Sequence, residues 1–357
     1  MYITIIADSL QQVRGGIEHH ASVLQQRLTE LNEKVFAISF RDVIGSRKKI
    51  KDADVIFLEG IRRITLLLFL LLGKETLRKT IIFTHGSFMY ISINKEVRRF
   101  GYRNFRIPLQ AVFDKLFLNT ILSRIGGLIA LSEKEKNDLL TSFKVAPRKI
   151  HVLDIFVEIE KFTDIGTKNR IVSRDFMSTL ENLKPYVCTV SRLEKRKNLV
   201  SAILATRFVG VNYVIAGKDQ GVLKEITRVV SVNKVSNFKY LGEIKDEEKI
   251  ELIRNSSGLI LPSFFEGVPN VVYESLKLGK PVLMTKFSYM KRFDGIFECD
   301  PTVDSIAEGI KVLLSTDAAT IDKIKEVPLR SDQEIVKDLY SILETVVPDV
   351  RNYTYSV

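Results

Sequence analysis

Cysteine is scarce in this chain. Cys188 and Cys299 are the only two in 357 residues, which excludes a disulfide framework and a cysteine-built zinc site and fits a reducing compartment. Long apolar runs are missing as well. The longest strongly apolar stretch, residues 64–72, has nine residues, whereas a bilayer-spanning helix takes about 20, so no transmembrane helix is expected. The opening MYITIIADSL has no cationic region ahead of its apolar run, and no signal peptide is expected. GxGxxG is absent, so a dinucleotide site is not supported. There is no solenoid-period repeat and no low-complexity tract. What remains is an ordinary globular composition, 45% apolar and 27% charged, long enough for about two domains of ~150 residues with large cores.

The charge is uneven. Lys and Arg outnumber Asp and Glu by 54 to 43, giving +11. Residues 47–106 alone hold 14 basic and 5 acidic side chains, so one segment supplies most of the excess. Such a surface favours anionic partners: phosphorylated ligands, anionic lipid or nucleic acid. Within it, Arg98, Arg99, Arg103 and Arg106 interleave with Phe100, Tyr102 and Phe105. That pattern suits a membrane interface, where aromatic bodies bury and cations meet lipid phosphate. It also suits stacking on single-stranded nucleic acid, or a solvated face whose aromatics enter the core.

Short apolar runs alternate with amphipathic stretches. Strands are expected at residues 2–7, 34–40, 54–58, 80–84 and 127–130, and helices at 17–32, around 61–79, around 106–124 and at 133–142. Residues 158–184 are polar and read as a linker. The alternation then resumes, with strands at 186–191, 213–216, 238–241, 258–261 and 282–284 and helices at 198–207, 221–230, 245–255 and 271–278. This is the pattern of parallel sheets covered on both faces, an α/β chain of two doubly wound domains that bind ligands at the carboxyl ends of their strands.

Candidate chemistry sits in four loops that follow strands. Gly15 and Gly16 let the backbone approach a ligand where a helix starts, or make an ordinary turn. His85, in Thr-His-Gly-Ser after a strand, can donate to a sugar hydroxyl or phosphate, relay a proton, or be a hydrogen-bonded structural histidine. In Ser191-Arg-Leu-Glu-Lys-Arg-Lys-Asn198, Arg192 and Lys197 flank a helix start, which is a phosphate site in kind; a solvated loop is the plainer reading. In Pro262-Ser-Phe-Phe-Glu-Gly-Val-Pro-Asn-Val-Val-Tyr-Glu274, Glu266 and Glu274 lie eight residues apart, and a carboxylate accepts two hydrogen bonds from a vicinal diol such as ribose. Asp52-Ala53-Asp54 looks like an Asp-x-Asp metal motif but precedes a buried strand and reads as structural.

PSFFEGVPNVVYESLKLGKPVL resembles the Glu-x7-Glu signature of retaining GT-B glycosyltransferases of family 4. RGGIE, THGSF, ALSEKEKNDL, RKIHVLDIFVEIEKF, VSRLEKRKNL, IAGKDQG and KYLGEI follow the family's order over roughly residues 1–315. The resemblance implies two Rossmann-like domains facing a cleft: an acceptor-binding domain at 1–165, a nucleotide-sugar domain at 166–330, and a C-terminal helix and tail at 331–357 returning to the first. It implies that Glu274 bonds the donor ribose and that Glu266 holds the donor sugar. Gly267, Val268, Asn270 and Val271 would cradle sugar and phosphate. Arg192 and Lys197 would neutralise the diphosphate, Gly15 and Gly16 would approach it, and His85 would lie beside the anomeric carbon. The implied partners are a nucleotide-sugar donor, with a UDP-sugar ahead of GDP-mannose, and a lipid-linked or glycan acceptor. No metal or other cofactor is expected. The basic segment adds an anionic membrane surface, and the expected location is the cytoplasm, peripheral on the inner face of the membrane, with no nucleic-acid partner. The family's Pro-Asn-Gly-Val is replaced here by Asp154-Ile-Phe-Val157, and Pro269 offers no N–H. Two other readings fit less well: a nucleotide-sugar 2-epimerase, whose acid–base carboxylates cannot be placed, and a catalytically silent partner subunit, which would not keep every charged donor-site position.

Overall fold

The computed structural model describes residues 1–7, 16–60, 73–87, 89, 98–102, 117–157 and 172–347. The chain divides into two compact units, one of Met1–Lys95, Arg103–Glu158 and Arg330–Val357, the other of Glu96–Tyr102 and Ile159–Leu329. Gly15, Arg103 and Arg106 lie outside the described residues, as do most of the helices expected around 61–79 and 106–124.

In the first unit the order is β1 (Tyr2–Ala7), α1 (Gly16–Glu30), β2 (Lys34–Ser39), α2 (Arg47–Asp52), β3 (Val55–Glu59), α3 (Lys74–Arg78), β4 (Thr80–Phe83), β5 (Gly127–Ala130), α4 (Glu133–Ser142) and β6 (Ile150–Val152). The second unit holds α5 (Arg174–Asn182), β7 (Tyr186–Val190), α6 (Leu199–Val209), β8 (Asn212–Ala216), α7 (Leu223–Val232), β9 (Phe238–Tyr240), α8 (Asp246–Asn255), β10 (Gly258–Leu261), α9 (Asn270–Lys277), β11 (Val282–Thr285), β12 (Ile296–Cys299), α10 (Val303–Leu314) and α11 (Ala318–Lys325). A last helix, α12 (Asp332–Val346), belongs to the first unit.

Each unit is built on a six-stranded parallel sheet, ordered β2-β1-β3-β4-β5-β6 in the first and β12-β11-β10-β7-β8-β9 in the second. The strands are short and apolar because both faces are covered. In β3, Val55 and Phe57 join one core with Leu24 and Leu28 of α1 and Leu339 and Leu343 of α12. Ile56 and Leu58 join the opposite core with Ile50 of α2, Leu118 and Leu122 of the helical residues 117–122, and Leu139 of α4. Each such side chain, fully buried, stabilises the fold by about 1.5–3 kcal/mol. Polar ties fix α12 in place: Arg27 donates to Asp332 at 2.9 and 3.1 Å, and Tyr340 donates to Glu33 at 3.0 Å.

Three expectations change. Residues 158–184 are not linker throughout, because Ser173 caps α5 by accepting from Phe176 N. Residues 96–102 group with the second unit and not with the N-terminal domain. The reason is aromatic: the Phe100 ring lies 5.7 Å from Phe287, and Tyr102 lies 5.0 Å from Phe264 and 5.7 Å from Phe265. These two rings are therefore engaged with protein, which corrects their assignment to a membrane interface, while Arg98 and Arg99 stay exposed. Asp54 is structural as expected, accepting from the N–H of Tyr2 at 2.7 Å.

Candidate active site

In the second unit the carboxyl ends of β7 and β10 carry the charged loops. Gly217, just past β8, has φ +137°, and a Cβ there would sit 1.9 Å from the Ser191 carbonyl oxygen. This close approach brings the β7 loop against the β8 loop, where the Leu193 N–H donates to Lys218 O at 2.8 Å. The basic run then makes one 3-10 turn, Lys195–Lys197, and Asn198 turns the chain into α6 with φ +53°. Its side-chain amide donates to Pro262 O at 3.0 Å and Pro301 O at 3.1 Å, tying the β7 loop to the loop after β10.

That tie sets Glu266 against the basic run. Arg196 donates to its Oε2 at 2.9 Å and to Phe265 O at 2.8 Å, and Lys197 donates to its Oε1 at 2.6 Å. The Ser263 hydroxyl also donates to Oε1. Arg196 bonds Glu194 as well, at 2.8 Å. Burial raises the Glu266 pKa, but Arg196, Lys197 and the hydrogen bonds outweigh it and hold the carboxyl at about 2. Burial pulls Lys197 down against the pull of Glu266. So Lys197, expected to face a diphosphate, is ion-paired with Glu266. Arg192, by contrast, is half-exposed, with only a loose 3.8 Å approach to Glu194. Arg196 and Ser263 were not singled out from the sequence; Arg196 could have been, being one of four cations in six residues.

Glu274 lies in α9, whose N-terminus follows Pro269 and has no side-chain cap. The Val272 N–H donates to Pro269 O at 3.0 Å, and the N–H groups of Asn270 and Val271 at the helix start are suited to an anion. The Glu274 carboxylate is buried. Lys249 of α8 donates to Oε1 at 3.1 Å, and Oε2 has no hydrogen-bond partner among the described residues. Burial lowers the Lys249 pKa, yet Glu274 and Asp246 raise it further and keep the amine charged. Gly267, Val268, Asn270 and Val271 are half-buried along the same loop and helix start, and the Tyr289 N–H donates to Gly267 O at 3.1 Å.

The first unit carries a separate cluster at the ends of β3 and β4. His85 sits just past β4 in the left-handed region, φ +46°. Glu135 of α4 shapes that turn: Oε1 accepts from Thr84 Oγ1 and Gly86 N, both at 2.7 Å, and Oε2 accepts from Leu131 N at 2.8 Å. His85 Nε2 lies 2.5 Å from Glu59 Oε2, and His20 Nδ1 lies 3.1 Å from the same oxygen. Burial would raise Glu59, but the two imidazoles overcome it and hold the carboxyl at about 2, while burial lowers His20. Gly16 is the exposed first residue of α1, which also carries His20. Glu59, His20 and Glu135 were not identified from the sequence. The one available signal was a carboxylate ending the apolar run Val55–Glu59.

Two parallel-sheet α/β units with charged loops at their strand ends make this the GT-B architecture. The fold is similar to that of a glycosyltransferase from Rickettsia africae (TM-score 0.66, 15% identity, covering 96% of this chain and 98% of that one). It is also similar to WaaG, a glycosyltransferase involved in lipopolysaccharide biosynthesis (TM-score 0.67, 14% identity, covering 99% of this chain and 100% of that one). Residues 174–326 match the family of glycosyl transferases group 1, so the second unit carries a group 1 glycosyltransferase domain. Among curated proteins, this chain is 23% identical over 219 residues to the N-acetylgalactosamine-N,N'-diacetylbacillosaminyl-diphospho-undecaprenol 4-alpha-N-acetylgalactosaminyltransferase of Campylobacter jejuni, covering 58% of this chain and 56% of that protein. It is 23% identical over 375 aligned positions to the phosphatidylinositol N-acetylglucosaminyltransferase gpi3 subunit of Schizosaccharomyces pombe, covering 95% of this chain and 77% of that one.

Proposed function

We propose that this chain is a glycosyltransferase that moves a hexose-type sugar from a nucleotide-sugar, a UDP-sugar ahead of GDP-mannose, to a lipid-linked or glycan acceptor in cell-surface polysaccharide or glycoconjugate synthesis. The observation that carries the reading is Glu274: a buried carboxylate in mid-α9, one turn from that helix's uncapped start, with one oxygen held by Lys249 and the other without a hydrogen-bond partner among the described residues. A free carboxylate oxygen accepts from a ribose hydroxyl, and the N–H groups of Asn270 and Val271, one turn away at the helix start, suit a diphosphate. Both named curated relatives act on lipid-borne acceptors by their names, which favours that acceptor class here.

In this reading Arg192 meets the diphosphate while Arg196 and Lys197 keep Glu266 ionised and rigid beneath the donor sugar. The bond from the anomeric carbon to the phosphate oxygen breaks as the acceptor oxygen attacks the same face. The departing phosphate takes the acceptor's proton, so configuration is retained without a protein nucleophile. Preorganised cations stabilise the charge that builds on the leaving oxygen, and no metal is required. A thermal-shift panel of UDP-, GDP-, ADP- and TDP-sugars in EDTA tests this. One nucleotide series at about 100 times its Kd should stabilise by about 2.7 kcal/mol, raising Tm by about 5–10 °C. A flat response across all four would remove the donor-site reading.

We also propose peripheral attachment to the inner face of the cytoplasmic membrane. No helix among the described residues is long and apolar enough to cross a membrane. Arg47, Lys48 and Lys51 of α2 are exposed beside Ile44, which is 63% exposed. They supply cations worth about 1 kcal/mol each near an anionic leaflet. Flotation with anionic liposomes should therefore fall with salt, and fall about 100-fold when Arg47, Lys48 and Lys51 become Ser. Indifference to anionic liposomes at low salt would end the membrane reading and leave the transferase reading standing.

A further inference from the structure

We propose that Glu59 is a positioning residue for His85: its Oε2 accepts from Nε2–H, fixing the ring's orientation and tautomer so that Nδ1 is the nitrogen left to accept from a substrate hydroxyl at the strand ends of the first unit. The inference rests on the transferase reading, in which His85 meets substrate. Three observations carry it.

Glu59 is the last residue of β3 and is 2% exposed, so it contributes nothing to solubility and sits where strand ends meet ligands in such sheets. One of its oxygens collects both imidazoles, His85 Nε2 at 2.5 Å and His20 Nδ1 at 3.1 Å, while Oε1 has no hydrogen-bond partner among the described residues. A carboxylate is acceptor-only when ionised, so both nitrogens that face it carry hydrogen. His20 is thereby assigned its Nδ1–H form, and its Nε2 is buried with no hydrogen-bond partner among the described residues. The His20 ring is walled by Phe83 at 4.8 Å and Phe156 at 5.2 Å.

The same logic assigns His85 Nε2–H, which leaves Nδ1 with a lone pair when the ring is neutral. His85 then accepts a hydrogen bond from a hydroxyl; it does not donate to phosphate. The ring cannot pivot freely. Its backbone is set by the Glu135 clamp on Thr84 and Gly86, and its plane stacks on Phe83 with centroids 5.9 Å apart. Second partners of this kind fix which nitrogen of a histidine is presented. His20 is the base of the arrangement, holding the carboxylate oxygen from below. His20, Glu59 and His85 are also the one group of metal-ligating side chains that converge among the described residues, their ligand atoms within 4.8 Å of one another. The shared-oxygen pattern is that of two hydrogen bonds.

The test uses the full-length protein and Glu59→Gln, which keeps the shape but offers one acceptor and one donor where there were two acceptors. Histidine ¹⁵N NMR of the wild type should show His85 in the Nε2–H form and His20 in the Nδ1–H form, with one of the two changing in the variant. With a donor that is turned over, kcat should fall at least tenfold with the donor KM within about threefold. In a His85→Ala background, Glu59→Gln should add less than a twofold change, because a residue acting only through His85 has nothing left to act on. An independent, multiplying loss in that background means a structural role and overturns the proposal. So does His85 in the Nδ1–H form, or a stoichiometric metal ion in the wild type that is lost in the variant. If no donor is turned over, the transferase reading fails, and the NMR on the wild type still decides the relay. If Glu59→Gln does not fold, Glu59→Asp keeps the charge and draws it back by one methylene, and the same loss of kcat is expected.

Discussion

Glu266→Ala should lose both transfer and fold stability, lowering Tm by about 10 °C. The carboxylate is buried and accepts from Arg196, Lys197 and Ser263. Its removal leaves two cations facing each other with one hydrogen-bonded partner between them, since of the two only Arg196 bonds Glu194. Breaking a buried ion pair from one side costs about 3–5 kcal/mol, and in a domain of this size each kcal/mol moves Tm by about 2–4 °C. The same pairing sets an acid limit. The carboxyl is held at about 2, below its ordinary 4.5, so its contribution is fully present above about pH 4.5 and is lost as the pH falls through about 2. Glu59, also held at about 2, adds a loss of the same sign in the same window. Chemical unfolding of Glu266→Ala between pH 7 and pH 2 checks both statements: the gap to wild type should be wide at neutral pH and close in acid. A gap that is small at pH 7, or that widens in acid, would contradict the pairing.

Arg192→Ala should do the opposite, keeping the fold and losing the chemistry. Its side chain is 42% exposed and only 3.8 Å from Glu194, and an exposed pair of that kind is worth ~0–1 kcal/mol. Tm should stay within about 2 °C. If Arg192 makes two charge-assisted bonds to the departing diphosphate, each worth about 1.5–3 kcal/mol, kcat/KM falls at least 100-fold. Measured transfer close to wild type would give the diphosphate contact to another cation, with Lys195 next in line. The contrast between the two variants follows from burial: Glu266 is buried in the fold as well as in the proposed site, and Arg192 is exposed in the proposed site.

The alternation of strand and helix is legible in the chain because each central strand is a short run buried on both faces. Residues 127–130 and 258–261 carry β5 and β10 with the expected bounds. Beyond Met284 the signal fades for physical reasons. The edge strand β12 is Ile-Phe-Glu-Cys, only its Cys299 fully buried, so it shows no clear apolar run. Helix α10 holds Gly309, where a Cβ would meet Leu283 of β11 at 2.5 Å; the glycine is there for close packing, but in a sequence it reads as a breaker. In α5 only Leu180 is fully buried, and the segment passes for linker. The site divides in the same way. Glu266, His85 and the basic run are visible because they occupy loops after strands, and Glu274 because it sits in the helix that follows one of those loops. Their partners are not: Lys249 is 25 residues from Glu274, Arg196 is 70 from Glu266, and Glu59 is 26 from His85. The Glu59–His85 and Arg196–Glu266 pairings come from strand order, which places β3 beside β4 and β7 beside β10; Lys249 and Glu274 meet between the helices before and after β10, and no local pattern announces any of the three.

The central claim is that Glu274 grips a donor ribose with its unpartnered oxygen. Calorimetric titration of the wild type and Glu274→Gln with the preferred nucleoside diphosphate, and with its 2′-deoxy and 3′-deoxy forms, tests it most directly. The wild type should bind the ribonucleotide at least tenfold more tightly than either deoxy form. In Glu274→Gln that preference should shrink to within about threefold, the weakening falling on the ribonucleotide. A wild type that binds ribo and deoxy forms alike, or a variant that keeps the full preference, would contradict it.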